Sequence, residues 1–174
     1  MRIRSESLIS HPIDVVFGAY RDRLPEMVSY LPDVQEIVVV KREDKGERVR
    51  LHNEWIADRD VPTFARSFIK PEMLRWDDFA EWHETELRCR WMLRLRVFSD
   101  AFSCSGTTSF RVDGSGTRVM LDGELNLDLN KIRGIPKLMA RTMGSKVESF
   151  VVGLITPNLE RTNVALQSFL DDLG

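Results

Sequence analysis

The sequence predicts an α+β protein in which seven antiparallel strands pack against one long C-terminal helix. Residues 34–129 fall into segments where apolar and polar side chains alternate, which is typical of strands with one buried and one wet face. Apolar residues between Met139 and Leu170 recur mostly at spacings of three and four, so a helix over 136–173 has one broad apolar face. A helix of that kind needs a sheet to pack on. The expected order is β-α-α, six strands and a helix.

Length and charge set the broad class. The 174 residues suffice for one domain with a sizeable core, and we expect a single domain over 1–174. The 25 basic and 27 acidic residues nearly cancel, which argues against a polyanion-binding protein. No apolar run reaches 18 residues, and the first residues lack the apolar core of a signal peptide, so we expect a cytoplasmic protein without a transmembrane segment.

The first elements follow from proline positions and alternation. Residues 2–9 alternate and predict a first strand, and Pro12 suits the first position of a short helix. A second short helix is expected over 24–31. Strands are predicted over 34–41 and 47–57, and the excursion over 58–71 contains a candidate short helix at 63–68 and could be a lid or an ordinary connection.

Four further strands are predicted as a meander, over 73–83, 86–97, 101–112 and 117–129. The inner face of the last three includes Leu87, Val112 and Leu127 at its ends. A tight turn at 84–85 would place Trp82 opposite Leu87 and Asp78 opposite Trp91.

The final helix contains a proline. Pro157 lacks a backbone N–H and crowds the carbonyl of Gly153, so we expect a kink or break near 153–157. The half before the break, with Met139, Met143 and Phe150, would then be free to move as a gate.

Three stretches carry a family resemblance. The stretch 11–17 (His-Pro-Ile-Asp-Val-Val-Phe) resembles the opening of the first helix in the START-like superfamily, which includes Bet v 1 allergens, polyketide cyclases and lipid-transfer proteins. The stretch 116–124 is similar to its penultimate turn and last strand. The stretch 61–66, followed by Glu81 and Trp82, resembles an uncharacterised bacterial branch of this superfamily. It resembles phospholipid carriers of the PRELI type more weakly.

This resemblance implies a helix-grip fold, in which a curved sheet wraps the long C-terminal helix. It also implies a cavity between sheet and helix that holds an apolar or amphipathic ligand. Most branches of the superfamily lack a shared catalytic set.

The sequence gives little support for a metal site or a catalytic nucleophile. The sequence has three histidines and no zinc-ligand spacing, so we expect no metal. It also has no glycine-rich phosphate loop, so we expect no cofactor. Cys89 and Cys104 are expected to be buried free thiols. The row Arg88, Arg90, Arg94 and Arg96 favours a solvated outer face over nucleic-acid binding, because the tryptophans lie on the opposite face.

The inner face holds the candidate site. It combines aromatic residues with a carboxylate that is costly to bury unpaired. Glycines at 106, 123, 144 and 153 are expected to leave room for a cavity rather than to fill it. The candidate ligand-binding residues are Asn53, Trp55, Trp76, Asp78, Trp82, Trp91, Phe110, Met143 and Phe150.

Three functions stay open. The first is binding or transport of a hydrophobic or amphipathic small molecule, lipid-like or polyketide-like. The second is a cyclase- or dehydratase-like enzyme with Asp78 as general base, although no histidine shares its face. The third is a protein-interaction module that uses the outer arginine row or the excursion over 58–71. A homo-oligomer is compatible with all three.

Overall fold

The order of elements is β-α-α followed by six strands and a helix. The structure is a computed structural model that describes residues 1–63, 66, 70, 74–96, 99–128, 131 and 137–174, without the side chains of 137–144. The elements are β1 (Arg2–Ile9), α1 (Ile13–Asp22), a 3₁₀ helix (Leu24–Tyr30), β2 (Val34–Lys45), β3 (Arg48–Ala57), β4 (Arg75–His83), β5 (Arg88–Leu95), β6 (Phe102–Asp113), β7 (Gly116–Leu127) and α2 (Lys137–Leu173). The predicted helix at 63–68 falls mostly outside the described residues.

Within the described residues, seven strands form one antiparallel sheet in the order β1-β7-β6-β5-β4-β3-β2. Burial alternates along β3, β4 and β5, so one face is buried and the other is wet, as predicted. The core lies between that face and α2. Two predicted inner residues differ: Val112 is 67% exposed because it lies near the end of β6, and Leu87 lies in a turn. No helix in the described part of the chain could cross a membrane.

The β4–β5 connection is longer than predicted. Four residues, 84–87, form the turn, and Leu87 adopts a positive φ of 46°. Trp82 therefore pairs with Cys89 instead of Leu87, and Asp78 pairs with Leu93 instead of Trp91. The shift is two residues, which equals the period of a strand, so every side chain keeps its predicted face.

Trp91 lies against two paired glycines in the middle of the sheet. Gly106 and Gly123 are opposite each other on β6 and β7. A Cβ on Gly106 would lie 2.5 Å from Trp91 Cζ2, and one on Gly123 would lie 2.6 Å from Trp91 Cη2. The prediction that these glycines leave empty space is wrong, because the indole ring of Trp91 fills it.

The long helix α2 runs without a break through Pro157, so of the predicted kink or break near 153–157 the break is wrong and the kink stays a prediction. Proline removes the N–H that would bond to the carbonyl of Gly153, four residues earlier. The guanidinium of Arg59, from the chain after β3, donates a hydrogen bond to that carbonyl instead. A partner remote in sequence thus satisfies the group that the proline leaves without one.

Arg59 also belongs to an ion-pair network between the sheet and α2. The Asp33 carboxylate, before β2, lies 3.8 Å from Arg59 Nε and 2.5 Å from Arg161 Nη1 of α2. Asp33 is thus bound by both the chain after β3 and the helix. We call Arg59, Asp33 and Arg161 the helix tie.

We predict that Gly106→Ala lowers the free energy of unfolding by about 1–3 kcal/mol, because the new methyl group collides with Trp91 and with backbone. Urea denaturation measures the change. Gly18→Ala is the control: its Cβ meets nothing within 4 Å in α1, so stability should rise by about 0.5–1 kcal/mol. A Gly106→Ala variant as stable as the wild type would contradict the packing of Trp91 described above.

We predict that Arg59→Ala raises amide hydrogen exchange in residues 150–162 by about tenfold, because the loss of a charged hydrogen bond to a helix carbonyl weakens the helix locally. Mass spectrometry of exchanged peptides measures it. Arg2→Ala, which removes an exposed pair with Asp122, should leave this segment unchanged. Equal exchange in both variants would show that the tie does not hold the helix.

Candidate functional site

A cavity lies between the concave sheet face and the middle of α2. Its volume is about 60 Å³. That space corresponds to about four water molecules. The residues that line it are Tyr20, Leu24, Leu51, Asn53, Trp55, Trp76, Asp78, Ala80, Trp82, Cys89, Trp91, Leu93, Thr108, Leu121, Ile155, Asn158, Leu159 and Thr162.

Six of the nine predicted ligand-binding residues line this cavity: Asn53, Trp55, Trp76, Asp78, Trp82 and Trp91. Phe110 is buried but packs behind the cavity, with its ring 5.2 Å from Phe17 and 5.9 Å from Trp82. Phe150 lies beside Pro62 at a separate surface depression. The side chain of Met143 lies outside the described residues.

Asp78 is the charged residue of the cavity wall. It is 8% exposed, and its Oδ2 accepts a hydrogen bond from Asn53 Nδ2 at 3.1 Å. Burial raises the pKa of Asp78 to about 6, against the opposing effects of Asn53, the Trp55 indole and the more distant His52. Among the described residues, no cation forms an ion pair with it. The carboxylate is therefore buried without a counter-charge.

Four other polar atoms around the cavity are buried and make no hydrogen bond within the described residues. Two are donors, the indole Nε1 atoms of Trp55 and Trp82. Two are acceptors, the Oδ1 atoms of Asn53 and Asn158. The Trp55 indole lowers the pKa of Asp78 without reaching hydrogen-bond geometry. A buried polar atom without a partner costs about 1–3 kcal/mol. Donors and acceptors without partners thus belong to residues on both the sheet side and the α2 side of the cavity.

Trp91, by contrast, is satisfied, because its Nε1 donates to Thr108 Oγ1 at 3.1 Å. Trp55 and Trp76 stack with ring centroids 5.5 Å apart. These contacts fix three of the indoles without any ligand. The walls are therefore largely pre-formed, as small-molecule sites usually are.

Three polar residues of the wall were missed by sequence reasoning. Tyr20 comes from α1, and Asn158 and Thr162 come from one face of α2, four residues apart. Burial, with the nearby Cys89 thiol and Asp78 carboxylate, raises the pKa of Tyr20, so its phenol stays protonated. The i, i+4 spacing of Asn158 and Thr162 on the apolar face of α2 was the available indication in the sequence.

The histidines and cysteines do not form a reactive centre at this cavity. Within the described residues, no group of three or more His, Cys, Asp or Glu side chains is arranged to hold a metal ion. His52 bonds to Asp77 at 2.8 Å, in register with the outer face. Cys89 and Cys104 are buried and free, and burial raises the pKa of both thiols, for Cys104 to about 12. Such thiols are poor nucleophiles.

The outer arginine row is largely engaged within the protein. Arg88 pairs with Glu86, and Arg96 Nη2 lies 3.2 Å from Asp77 Oδ1. Arg94 lies over an aromatic ring of β4, 5.5 Å from its centroid. Much of the charge of this row is thus met by neighbouring side chains.

Several solved structures share this fold over nearly the whole chain. The protein TTHA0849 from Thermus thermophilus is 26% identical, with a TM-score of 0.65 and coverage of 97% of this chain and 95% of that one. The Zhui aromatase/cyclase from Streptomyces sp. R1128 is 11% identical, with a TM-score of 0.56 over 95% of this chain and 93% of that one. A START superfamily protein from Mycobacterium smegmatis is 13% identical, with a TM-score of 0.53 over 99% of both chains.

These likenesses show the fold: the chain has a helix-grip fold like that of START superfamily proteins, as predicted. No protein-family model matches the chain, and no curated protein matches its sequence.

We predict that Asp78 destabilises the folded protein as pH rises. Its folded pKa lies near 6, above the usual 3.8, so the folded state binds the proton more tightly between these values. Relative to Asp78→Asn, the wild type should therefore lose about 3 kcal/mol of unfolding free energy between pH 3.5 and 7. Urea titrations of both proteins across this range measure the difference.

Asp77→Asn on the outer face is the matched control. Burial would raise the pKa of Asp77, but hydrogen bonds from Arg96 and His52 outweigh it and lower the pKa. Its contribution is present above about pH 4 and is lost as pH falls, so the sign should be the reverse of that for Asp78. A flat difference for Asp78→Asn would contradict its burial as an unpaired acid.

Proposed function

We propose that the protein binds an amphipathic small molecule in the cavity between the sheet and α2. The observation that carries this proposal is the set of buried polar atoms without partners at Asn53, Trp55, Trp82 and Asn158. A plain packed core does not leave two donors and two acceptors around one space, because each costs free energy. A bound molecule with complementary groups removes that cost.

The volume favours a compact ligand over a long lipid. Space for about four waters is smaller than the roughly 150 Å³ of a cavity that encloses benzene, so a ring compound bound here would extend beyond this space or displace part of its wall. A long acyl chain does not fit the cavity bounded by the described residues. Within the lipid-like and polyketide-like alternatives, the geometry therefore favours the ring-bearing kind.

A second candidate function is an enzyme that uses Asp78 as general base. A carboxyl group with a pKa of about 6 is suited to proton transfer near neutral pH. Tyr20 supplies a protonated phenol on the same cavity wall, a partner that takes the place of the missing histidine. Unchanged turnover of a cyclisable substrate in Asp78→Asn would exclude this role.

An interaction module based on the outer arginine row has less support, because at least three of its four arginines already contact neighbouring side chains. We keep the cytoplasmic location and a homo-oligomer as expectations from the sequence alone.

We predict that 2-phenylethanol, a compact amphipathic probe, quenches tryptophan fluorescence saturably, because four indoles line the cavity. Ala80→Leu fills the cavity and should weaken binding at least tenfold. Met92→Leu, on the exposed outer face, is the control and should bind as the wild type does. Leu121→Phe is a second filling variant should the first fold poorly.

Native mass spectrometry of the purified protein gives an independent readout, with a co-purifying small molecule as the expected result. The proposal is wrong if no small molecule co-purifies and if probe binding is the same in the wild type and in both filling variants.

A further inference from the structure

The cavity wall has one sign of charge. Within the described residues, Asp78 is the one lining side chain that is charged at neutral pH, and no lysine or arginine lines the cavity. The carboxylate is more than nine-tenths buried, and the hydrogen bond that it accepts within the described residues comes from a neutral amide, Asn53. A buried charge is stabilised by a nearby opposite charge, and no described residue that lines this cavity provides one.

Aromatic rings surround the same carboxylate. Trp55, Trp76, Trp82, Trp91 and Tyr20 all line the cavity. The faces of aromatic rings carry negative charge density and attract organic cations, and tryptophan does so most strongly. A carboxylate enclosed by indoles favours a cation over a neutral or anionic guest.

Oxygen acceptors also lie together here. Asn53 Oδ1 and Asn158 Oδ1 are buried without a donor, and they belong to residues that line the cavity from the sheet and from α2 respectively. With the carboxylate of Asp78, they present acceptors on opposing walls. A primary ammonium group has three N–H donors and no acceptor, so it matches this arrangement.

Two indole N–H groups also belong to residues of the cavity wall, and that of Trp55 acts on Asp78 itself. Trp55 and Trp82 each present an N–H without a partner. These groups suit a hydroxyl or carbonyl oxygen. They do not suit an ammonium group.

The side chains that face Asp78 from neighbouring elements are neutral near pH 7, so Asp78 determines the charge of the site. Tyr20 of α1 and Cys89 of β5 stay protonated and neutral, because burial raises their pKa values. Asn158 and Thr162 of α2 do not titrate in this range. His52 lies on the other side of β3, where it bonds to Asp77.

We propose that the ligand of this cavity is a compact aromatic or ring-bearing amine, whose protonated nitrogen pairs with Asp78 inside the aromatic wall. This inference rests on the proposed ligand-binding function and specifies its ligand class. The amine supplies the counter-charge that the protein lacks.

Three probes of matched shape test the proposal: 2-phenylethylamine, 2-phenylethanol and 3-phenylpropanoate, which are cationic, neutral and anionic at about pH 7.5. Isothermal titration calorimetry on the full chain measures each dissociation constant. We expect the amine to bind at least tenfold more tightly than the alcohol, and the carboxylate to bind most weakly.

The pH dependence gives a test that needs no variant. Asp78 is about one-tenth ionised at pH 5 and almost fully ionised at pH 7.5, given its pKa of about 6. Amine affinity should therefore rise about tenfold between these values, since the competent form of the site becomes more populated. The affinity for 2-phenylethanol should not rise with it.

Asp78→Asn keeps the shape of the side chain and removes its charge. We expect this variant to bind amine and alcohol equally, without the rise in amine affinity between pH 5 and 7.5. Asp77→Asn, one residue away on the outer face, should keep the full preference.

The ligand-class inference is overturned if the alcohol or the carboxylate binds as tightly as the amine, or if the preference survives in Asp78→Asn. Binding of the alcohol without amine preference overturns the inference and leaves the proposed function standing. The absence of binding by all three probes, together with no co-purifying molecule, overturns both.

Discussion

The contact between Trp91 and the glycine pair at 106 and 123 is the constraint on which the cavity depends. Because neither glycine has a side chain, the indole ring packs against the backbone of β6 and β7 and does not project toward α2. Its N–H is then close enough to bond to Thr108. A tryptophan that stood upright would occupy the space under the helix. Trp91 therefore forms a floor and leaves a space above it.

Asp78, in the wall of that space, lowers the stability of the fold and is explained by function. A leucine in its place would pack well against the surrounding indoles and would avoid the cost of a buried charge. The protein instead keeps a carboxylate without a cationic partner, next to amide and indole groups that also lack partners. Four of the eight buried polar atoms without a partner in the described residues belong to residues that line this one cavity, which is most simply explained if they act together on a guest.

The sequence predicted the faces of the strands better than their pairing or the roof of the cavity. A period of two places Trp55, Asp78 and Trp91 on the inner face whatever the register, which is why a two-residue error at the 84–87 turn did not move them. The sequence does not reveal which turns of α2 meet the cavity, so Asn158 and Thr162 were missed. It also could not show that Arg59, 94 residues before Gly153, compensates for Pro157.

The proline in α2 weakens the helix where it covers the cavity. Ile155, Asn158, Leu159 and Thr162 line the cavity within one or two turns of Pro157, and the helix tie holds this same segment to the sheet. In an ordinary helix the Gly153 carbonyl would bond within the helix and would need no outside partner. Because Arg59 supplies that bond, the turns of α2 that line the cavity are stabilised in part by a contact from outside the helix.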